Sequence, residues 1–206
     1  NLINYPIEEY IRRWYINDAK KILSGMKSLD IVGITGSYGK TSMKFYLGEL
    51  LNSQYNTLIT PESYNTPMGV VKTIRMMMKS THEIFVCEMG ARHVGDIKEL
   101  CDIVNPHDAI ITSIGPQHLE TFGKIENIIS TKFELGDAVN GKGKILVNGD
   151  DENIRKGMGK YENVITYGFS DNNDYRAKDI SVSYKGTKFT VVSKSGEECE
   201  YETSLL

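Results

Sequence analysis

The sequence has few of the features that mark secreted, membrane-spanning or nucleic-acid-binding proteins. It contains three cysteines in 206 residues, Cys87, Cys101 and Cys199, and no Cys-x-x-Cys pair, so no disulfide framework or four-cysteine zinc site is indicated. No hydrophobic run approaches the about 20 residues of a membrane span, and no signal peptide is evident. The net charge of −3 gives no general reason to expect nucleic acid. We therefore expect a cytoplasmic protein with reduced thiols and no membrane or nucleic-acid contact.

What is present is an ordinary globular composition with alternating strand and helix patterns. Hydrophobic residues make up 40% of the chain and charged residues 25%, which suits one domain with a full core. Continuous apolar runs indicate strands buried on both faces, and their alternation with helices predicts a doubly wound, mostly parallel α/β sheet. The predicted strands are 29–35, 56–60, 83–88, 109–114, 144–148 and 163–167, and the predicted helices are 40–52, 68–79, 95–104, 124–139 and 151–159.

Both ends of the chain depart from this alternation. Residues 6–27 have helical spacing ahead of the first strand, so residues 1–28 are interpreted as a lead-in helix or linker from a preceding domain. Residues 175–206 contain short runs separated by glycine turns, which predicts a small antiparallel β-meander. The chain stops directly after the last run, so we expect 29–206 to be one domain truncated at its carboxy terminus.

The most informative segment is Thr35-Gly36-Ser37-Tyr38-Gly39-Lys40-Thr41-Ser42, a glycine-rich turn between a strand and a helix. Such a turn presents backbone N–H groups and a helix N-terminus to a phosphate chain. Lys40 is expected to reach the terminal phosphates and the Thr41 hydroxyl to hold Mg²⁺. The spacing departs from the common P-loop because Ile34 stands where the first glycine would be. An exposed lysine on an ordinary βα turn is the plain alternative.

Three further polar residues interrupt the apolar pattern beyond predicted strands or on a helix. Glu88 ends an apolar strand and is well placed for Mg²⁺, although a solvated strand-end glutamate is an equal alternative. His118 follows another strand, where a histidine is usually structural, and Lys132 lies on a helix, where a lysine usually faces water. Together with the P-loop they could hold a nucleotide and one or two metal ions, which indicates phosphoryl transfer from ATP.

Five ordered motifs resemble the Mur ligase family, specifically its central ATP-binding domain. They are Thr35 to Ser42, Thr60 to Val70, Glu88 to Ala91, His118 to Gly123 and Lys132 to Glu134. Within that family, the resemblance is strongest to the type that joins D-alanyl-D-alanine to UDP-N-acetylmuramoyl-tripeptide during peptidoglycan synthesis. It covers about residue 29 to the end of the chain.

The resemblance implies roles for individual residues. Residues Gly36 to Ser42 would bind ATP, with Lys40 on the phosphates. Thr41 and Glu88 would hold one Mg²⁺ and His118 the second, while Lys132 resembles a family lysine that is carbamylated and so becomes an anionic metal ligand. Lys40, His118 and Lys132 would be catalytic. Thr60, Asn65 and Thr66 would belong to the loop that meets the muropeptide.

The resemblance also leaves alternatives open. Thr112-Ser113 replaces a common Thr-Asn pair, the family's later His-Asn segment is not in the chain, and neither are the family's amino-terminal and carboxy-terminal domains. We therefore expect these 206 residues alone to form no amide bond. The alternatives are another Mur-like amide ligase, such as a folylpolyglutamate synthetase-like enzyme, or a nucleotide-binding module without catalysis. A small-molecule kinase or GTPase would carry the ordinary P-loop spacing or an Asn-Lys-x-Asp motif, and neither is found.

Overall fold

The computed structural model describes residues 5–204, which form a nine-stranded sheet with helices on both faces. The strand order is β2-β3-β1-β4-β5-β6-β7-β8-β9. The strands are β1 (Asp30–Thr35), β2 (Thr57–Ile59), β3 (Ile84–Glu88), β4 (Asp108–Ile111), β5 (Ile145–Asn148), β6 (Val164–Gly168), β7 (Tyr175–Ser183), β8 (Gly186–Ser193) and β9 (Glu198–Thr203). Neighbouring strands from β2 through β7 pair in parallel, which confirms the predicted α/β class.

The helices follow the strands as the alternation predicts, with ends shifted by a few residues. They are α1 (Tyr5–Ser24), α2 (Lys40–Asn52), α3 (Pro67–Met77), α4 (Asp96–Val104), α5 (Leu119–Phe122), α6 (Ile125–Val139) and α7 (Glu152–Met158). The one-turn helix α5 was not predicted. Helix α3 begins as its sequence directs, because Pro67 occupies the first turn and the Thr66 hydroxyl accepts a hydrogen bond from the Gly69 N–H at 3.3 Å.

The core lies on both faces of the sheet. On one face Ile31, Phe85 and Ile111 pack against buried side chains of the helices, including Ile74 of α3 and Leu135 of α6. On the opposite face α2 packs its Met43, Leu47 and Leu51 over a second cluster formed by Ile34, Val86 and Ile110. These apolar faces explain why the central strands appear in the sequence as continuous hydrophobic runs.

The predicted antiparallel meander is present, but it continues the main sheet. Strand β7 pairs in parallel with β6 through Tyr167↔Tyr175 and Gly168↔Arg176. Strands β8 and β9 then pair antiparallel with β7 and β8. Its last two residues, 205–206, lie outside the described part of the chain.

Helix α1 packs on the same core as the sheet. Ala19 is fully buried, and Asp18 accepts a 2.6 Å ion-paired hydrogen bond from Arg75 of α3. The division into a lead-in segment 1–28 and a domain 29–206 stays a prediction. Across residues 5–204 no helix is both long and apolar enough to cross a membrane.

Candidate active site

The parallel strands bring four polar segments to one edge of the sheet. Strands β1, β2, β3 and β4 end at Thr35, Ile59, Glu88 and Ile111, and parallel pairing places those carboxyl ends side by side. Ligands of doubly wound sheets bind at this edge. The P-loop follows β1, which lies between β3 and β4.

The turn after β1 has the backbone that a phosphate loop requires. Gly36 has a φ of 152° and Gly39 a φ of 79°, conformations that favour glycine. A Cβ on Gly36 would collide with the Thr112 hydroxyl. Gly39 is the N-cap of α2, so the free N–H groups of that helix's first turn follow the loop directly. The Lys40 ammonium donates to the carbonyls of Gly36 at 2.8 Å and Ser37 at 3.3 Å.

Residues after β4 hold the P-loop from behind. The Ser37 N–H donates to the Ser113 carbonyl at 2.7 Å, and the Tyr38 N–H donates to the Ser113 hydroxyl at 3.1 Å. The Thr112 hydroxyl donates to the Tyr38 carbonyl at 2.6 Å. Ser113, which departs from the Thr-Asn pattern, therefore binds the loop through its short hydroxyl.

Glu88 is almost fully buried, with 1% exposure, and both of its carboxylate oxygens accept hydrogen bonds. Oε2 accepts from the Thr41 hydroxyl at 3.0 Å and from the Lys44 ammonium at 3.0 Å. Oε1 accepts from the Asn65 amide at 2.9 Å. A hydroxyl and a carboxylate therefore meet directly beside the P-loop, and hard oxygen donors of this kind suit Mg²⁺, which is usually held by one or two carboxylates together with substrate phosphates.

Two of the three predicted loop residues reach the open cleft, and the third does not. Asn65 and Thr66 line the cleft, and Thr66 also caps α3. Thr60 is fully buried, and its hydroxyl accepts the Glu88 N–H at 3.0 Å. This placement does not support the expectation that Thr60 contacts the muropeptide, because its side chain supports Glu88 from below.

The opposite wall of the cleft carries Lys132 and His118. Lys132, on α6, is 2% exposed, and burial, followed by the nearby positive charge of Lys40, lowers its pKa to about 8. Within residues 5–204 its ammonium has neither a hydrogen bond nor an ion pair, and its nitrogen retains contact with the cleft. His118 has a left-handed φ of 55° at the start of α5, and its Nδ1 lies 3.7 Å from the Glu120 carboxylate.

Glu134 explains the rest of the Lys-Phe-Glu motif. Its two carboxylate oxygens accept the N–H groups of Gly95 and Lys98 at 2.8 Å each, and so cap the start of α4. Asp96 in turn accepts the N–H groups of Arg92 and His93 at 2.7 and 2.9 Å. These two acids shape the segment that follows β3.

Together these elements enclose a cleft of about 460 Å³. It brings the predicted Lys40, Asn65, Thr66, His118 and Lys132 into one site. The cleft is rich in cationic and polar groups. Its lining comprises Lys40, Asn65, Thr66, Pro67, Gly90, Ala91, Arg92, His93, Asp96, Gln117, His118 and Lys132. Burial lowers the pKa of Lys40, while the Glu88 charge acts to raise it. Such a cleft suits an anionic ligand.

Sequence reasoning missed Lys44, Arg92 and His93. Lys44 shares the buried side of α2 with Gly48 and Leu51, and this spacing of 44, 48 and 51 was the available signal. Arg92 and His93 follow Glu88-Met89-Gly90-Ala91 directly. No group of three or more His, Cys, Asp or Glu side chains that could hold a metal occurs in the described part of the chain.

The fold and the P-loop define a phosphate-binding α/β domain. More particularly, the chain belongs to the Mur ligase family, because residues 34–206 match the Mur ligase middle domain. It is 34% identical over 161 residues to the UDP-N-acetylmuramoyl-tripeptide--D-alanyl-D-alanine ligase of Bacillus subtilis, covering 78% of this chain and 35% of that protein. The Escherichia coli enzyme of the same name is 29% identical over 169 residues, covering 81% and 37% respectively.

Solved structures agree with this assignment. MurF ligase from Thermotoga maritima in complex with ADP superposes with a TM-score of 0.84 and 30% identity, over 93% of this chain and 44% of that one. MurF from Acinetobacter baumannii gives 0.83 and 26%, over 94% and 42%. The chain thus spans little more than a third of the length of these curated relatives.

Proposed function

We propose that this chain supplies the ATP- and magnesium-binding part of a cytoplasmic ligase that joins D-alanyl-D-alanine to UDP-N-acetylmuramoyl-tripeptide. The observation that carries the proposal is the 3.0 Å hydrogen bond between the first-turn hydroxyl of Thr41 and the buried carboxylate of Glu88, next to Lys40 of the P-loop. The names of the relatives, and the ADP in one of them, support the nucleotide and the substrates.

The reaction we propose has two steps. A substrate carboxylate oxygen attacks the γ-phosphorus of ATP, the bond to ADP breaks, and an acyl phosphate forms. The amine of D-alanyl-D-alanine then attacks the acyl carbon, phosphate leaves, the nitrogen loses a proton and an amide results. Bound Mg²⁺ would neutralise phosphate charge during the first step.

The chain's own residues would bind and orient these groups. Lys40 would turn from the Gly36 and Ser37 carbonyls to the terminal phosphates, and the N–H groups of the loop would bind phosphate oxygens. Thr41 and Glu88 would hold one Mg²⁺. His118 and Lys132 would serve the second, with Lys132 as the carbamate. The lowered pKa of Lys132 supports this modification, because only a neutral amine reacts with carbon dioxide.

A titration with ATP and Mg²⁺ tests the nucleotide site. Replacing Lys40 with Ala removes a charge-assisted hydrogen bond of about 1.5–3 kcal/mol, so affinity should fall roughly 10- to 150-fold. Lys188→Ala is the control, because Lys188 is exposed and pairs with Glu202 on the meander. Equal affinity of wild type and Lys40→Ala would contradict the phosphate role.

The amide ligation requires its own assay. ADP release should depend on UDP-N-acetylmuramoyl-tripeptide and D-alanyl-D-alanine together in the whole protein. We further predict that residues 1–206 alone release no ADP, because they span little more than a third of the length of the relatives and would not hold both substrates. Holding both substrates in place supplies up to about 7–11 kcal/mol of barrier reduction. Nucleotide binding without substrate-dependent ADP release by the whole protein would favour a non-catalytic module.

A further inference from the structure

Lys44 is the most completely buried charged side chain near the cleft. Its side chain is 0% exposed, and its ammonium lies 3.0 Å from Glu88 Oε2. The same ammonium also donates a short hydrogen bond to the Glu62 carbonyl. One cation therefore joins three segments that are far apart in sequence, which are α2, the end of β3 and the loop 60–66.

A stabilising role alone does not account for this pair. Removing two charges from water costs free energy that their attraction often fails to recover, and well-packed hydrophobic replacements are frequently neutral or stabilising. The pair lies at the ligand-binding edge of the sheet, and its acid is the residue we assign to Mg²⁺. The loop that Lys44 holds also contains Asn65, whose amide donates to the other oxygen of Glu88.

The contact with Lys44 supports the loop at its turn, beside the hydrogen bond that the Gly90 N–H donates to the Asn65 carbonyl. Glu62 has a φ of 43°, an uncommon conformation for a residue with a side chain. Its carbonyl accepts from Lys44, which fixes the turn that carries Asn65 to the cleft. Lys44 thus acts on the Glu88 carboxylate twice, directly through Oε2 and indirectly through the loop.

We propose that Lys44 is a positioning residue, which orients the Glu88 carboxylate towards the Thr41 hydroxyl and so forms the magnesium site of the P-loop. This inference rests on the proposed function. Lys44 does not touch the nucleotide. Its effect should therefore fall on the magnesium-dependent part of nucleotide binding. The phosphate contacts of Lys40 and the loop N–H groups should persist without it.

The test compares the dissociation constant of ATP in EDTA with that in saturating Mg²⁺. Lys44→Met keeps the length of the side chain and removes the charge. We expect the constant in EDTA to stay within about twofold of wild type, and the tightening by Mg²⁺ to fall at least about tenfold. Lys40→Ala should instead weaken binding in both conditions. A Lys44→Met protein with wild-type tightening, or with greater tightening, would overturn the positioning role.

A second comparison covers the case in which Lys44→Met does not fold, since it leaves Glu88 without its cation. Glu88→Gln is then compared with the double variant Lys44→Met/Glu88→Gln, and this comparison needs no folded Lys44→Met protein. If Lys44 acts through Glu88, adding Lys44→Met to Glu88→Gln should change ATP affinity by less than about twofold in either condition. A further loss in EDTA would show that Lys44 acts elsewhere and would overturn the inference.

The outcomes separate this inference from the function on which it rests. A wild-type protein that binds no ATP would contradict both. A wild type that binds ATP, tightened by Mg²⁺, together with an unaffected Lys44→Met variant would leave the proposed function intact and contradict only the role of Lys44.

Discussion

The two sides of the cleft differ in whether their buried lysine is paired with a carboxylate. On the β3 side, Lys44 is 0% exposed and lies 3.0 Å from the Glu88 carboxylate. On the α6 side, Lys132 is 2% exposed and has no partner within residues 5–204. The Lys132 ammonium faces the cleft, and the charges of Asp96 and Glu134 act on it without forming an ion pair. The β3 side therefore holds a lysine paired with a carboxylate, whereas the α6 side presents an unpaired lysine with a lowered pKa to the cleft, as functional sites often do.

Removing Lys132 should have the largest effect, on ligation. If the lysine becomes a carbamate that binds metal, Lys132→Ala should lower the turnover of the whole protein at least about 100-fold, a loss comparable to removing one transition-state donor. A short carboxylic acid in the buffer should partly restore turnover by filling the vacated site. Lys124→Ala, an exposed lysine at the start of the same helix, is the control. Normal turnover in Lys132→Ala would end the carbamate proposal.

The unpaired ammonium of Lys132 should also affect how the free energy of unfolding depends on pH. The pKa of Lys132 is about 8 in the folded protein, below its ordinary 10.5, so the folded state releases this proton first. The free energy of unfolding should therefore gain a favourable contribution as pH rises from about 8 towards 10.5. Lys132→Met should lack that rise and be more stable at pH 7, by up to about 3 kcal/mol.

Urea unfolding at several pH values, in bicarbonate-free buffer with EDTA, measures this difference. Lys124→Met controls for the general loss of a lysine. Parallel pH profiles for wild type and Lys132→Met would show that folding does not lower the pKa of Lys132. That result would contradict the difference between the two sides of the cleft.

The smallest effect should come from the paired network behind the P-loop. Ser113→Ala removes the hydroxyl that accepts the Tyr38 N–H at 3.1 Å and donates to the Tyr38 carbonyl at 3.1 Å, while the Ser113 carbonyl still holds Ser37. The Tyr38 carbonyl keeps its hydrogen bond from the Thr112 hydroxyl, so the net loss is that of one neutral hydrogen bond, about 1 kcal/mol, and ATP affinity should fall about fivefold. Isothermal titration calorimetry with ATP measures this loss, and Ser130→Ala, which changes an exposed serine of α6, is the control. A loss of ATP affinity as large as that of Lys40→Ala would mean that the loop depends on Ser113 entirely.

Much of the site was predictable because its signals are local. Gly36 to Ser42 stand between a buried strand and a helix, and this context indicates phosphate binding, while Glu88 is the first charged residue after a buried run. The sheet was predictable for the same reason, since buried strands leave continuous apolar runs. The substrate contact expected of Thr60 stays a prediction, because a polar residue just past a strand can point into the cleft or beneath it, and the Thr60 hydroxyl accepts the Glu88 N–H.

The helical spacing of residues 44, 48 and 51 could place Lys44 on the buried side of α2, but it could not predict the partners of its ammonium. A lysine on a helix normally faces water, and its partners Glu62 and Glu88 are 18 and 44 residues away. Only the folded sheet brings the three together. The burial of Lys132 has the same origin, and the resemblance to a family motif, not its own surroundings in the sequence, singled it out.

The most direct test of the whole account is a crystal structure with a non-hydrolysable ATP analogue and Mn²⁺, whose anomalous scattering locates the metal. We predict that the phosphates lie on the loop from Gly36 to Ser42 with the Lys40 ammonium turned onto them, and that one manganese ion is directly coordinated by the Thr41 hydroxyl and the Glu88 carboxylate. Phosphates bound away from this loop, or a metal peak that avoids Glu88, would contradict the account.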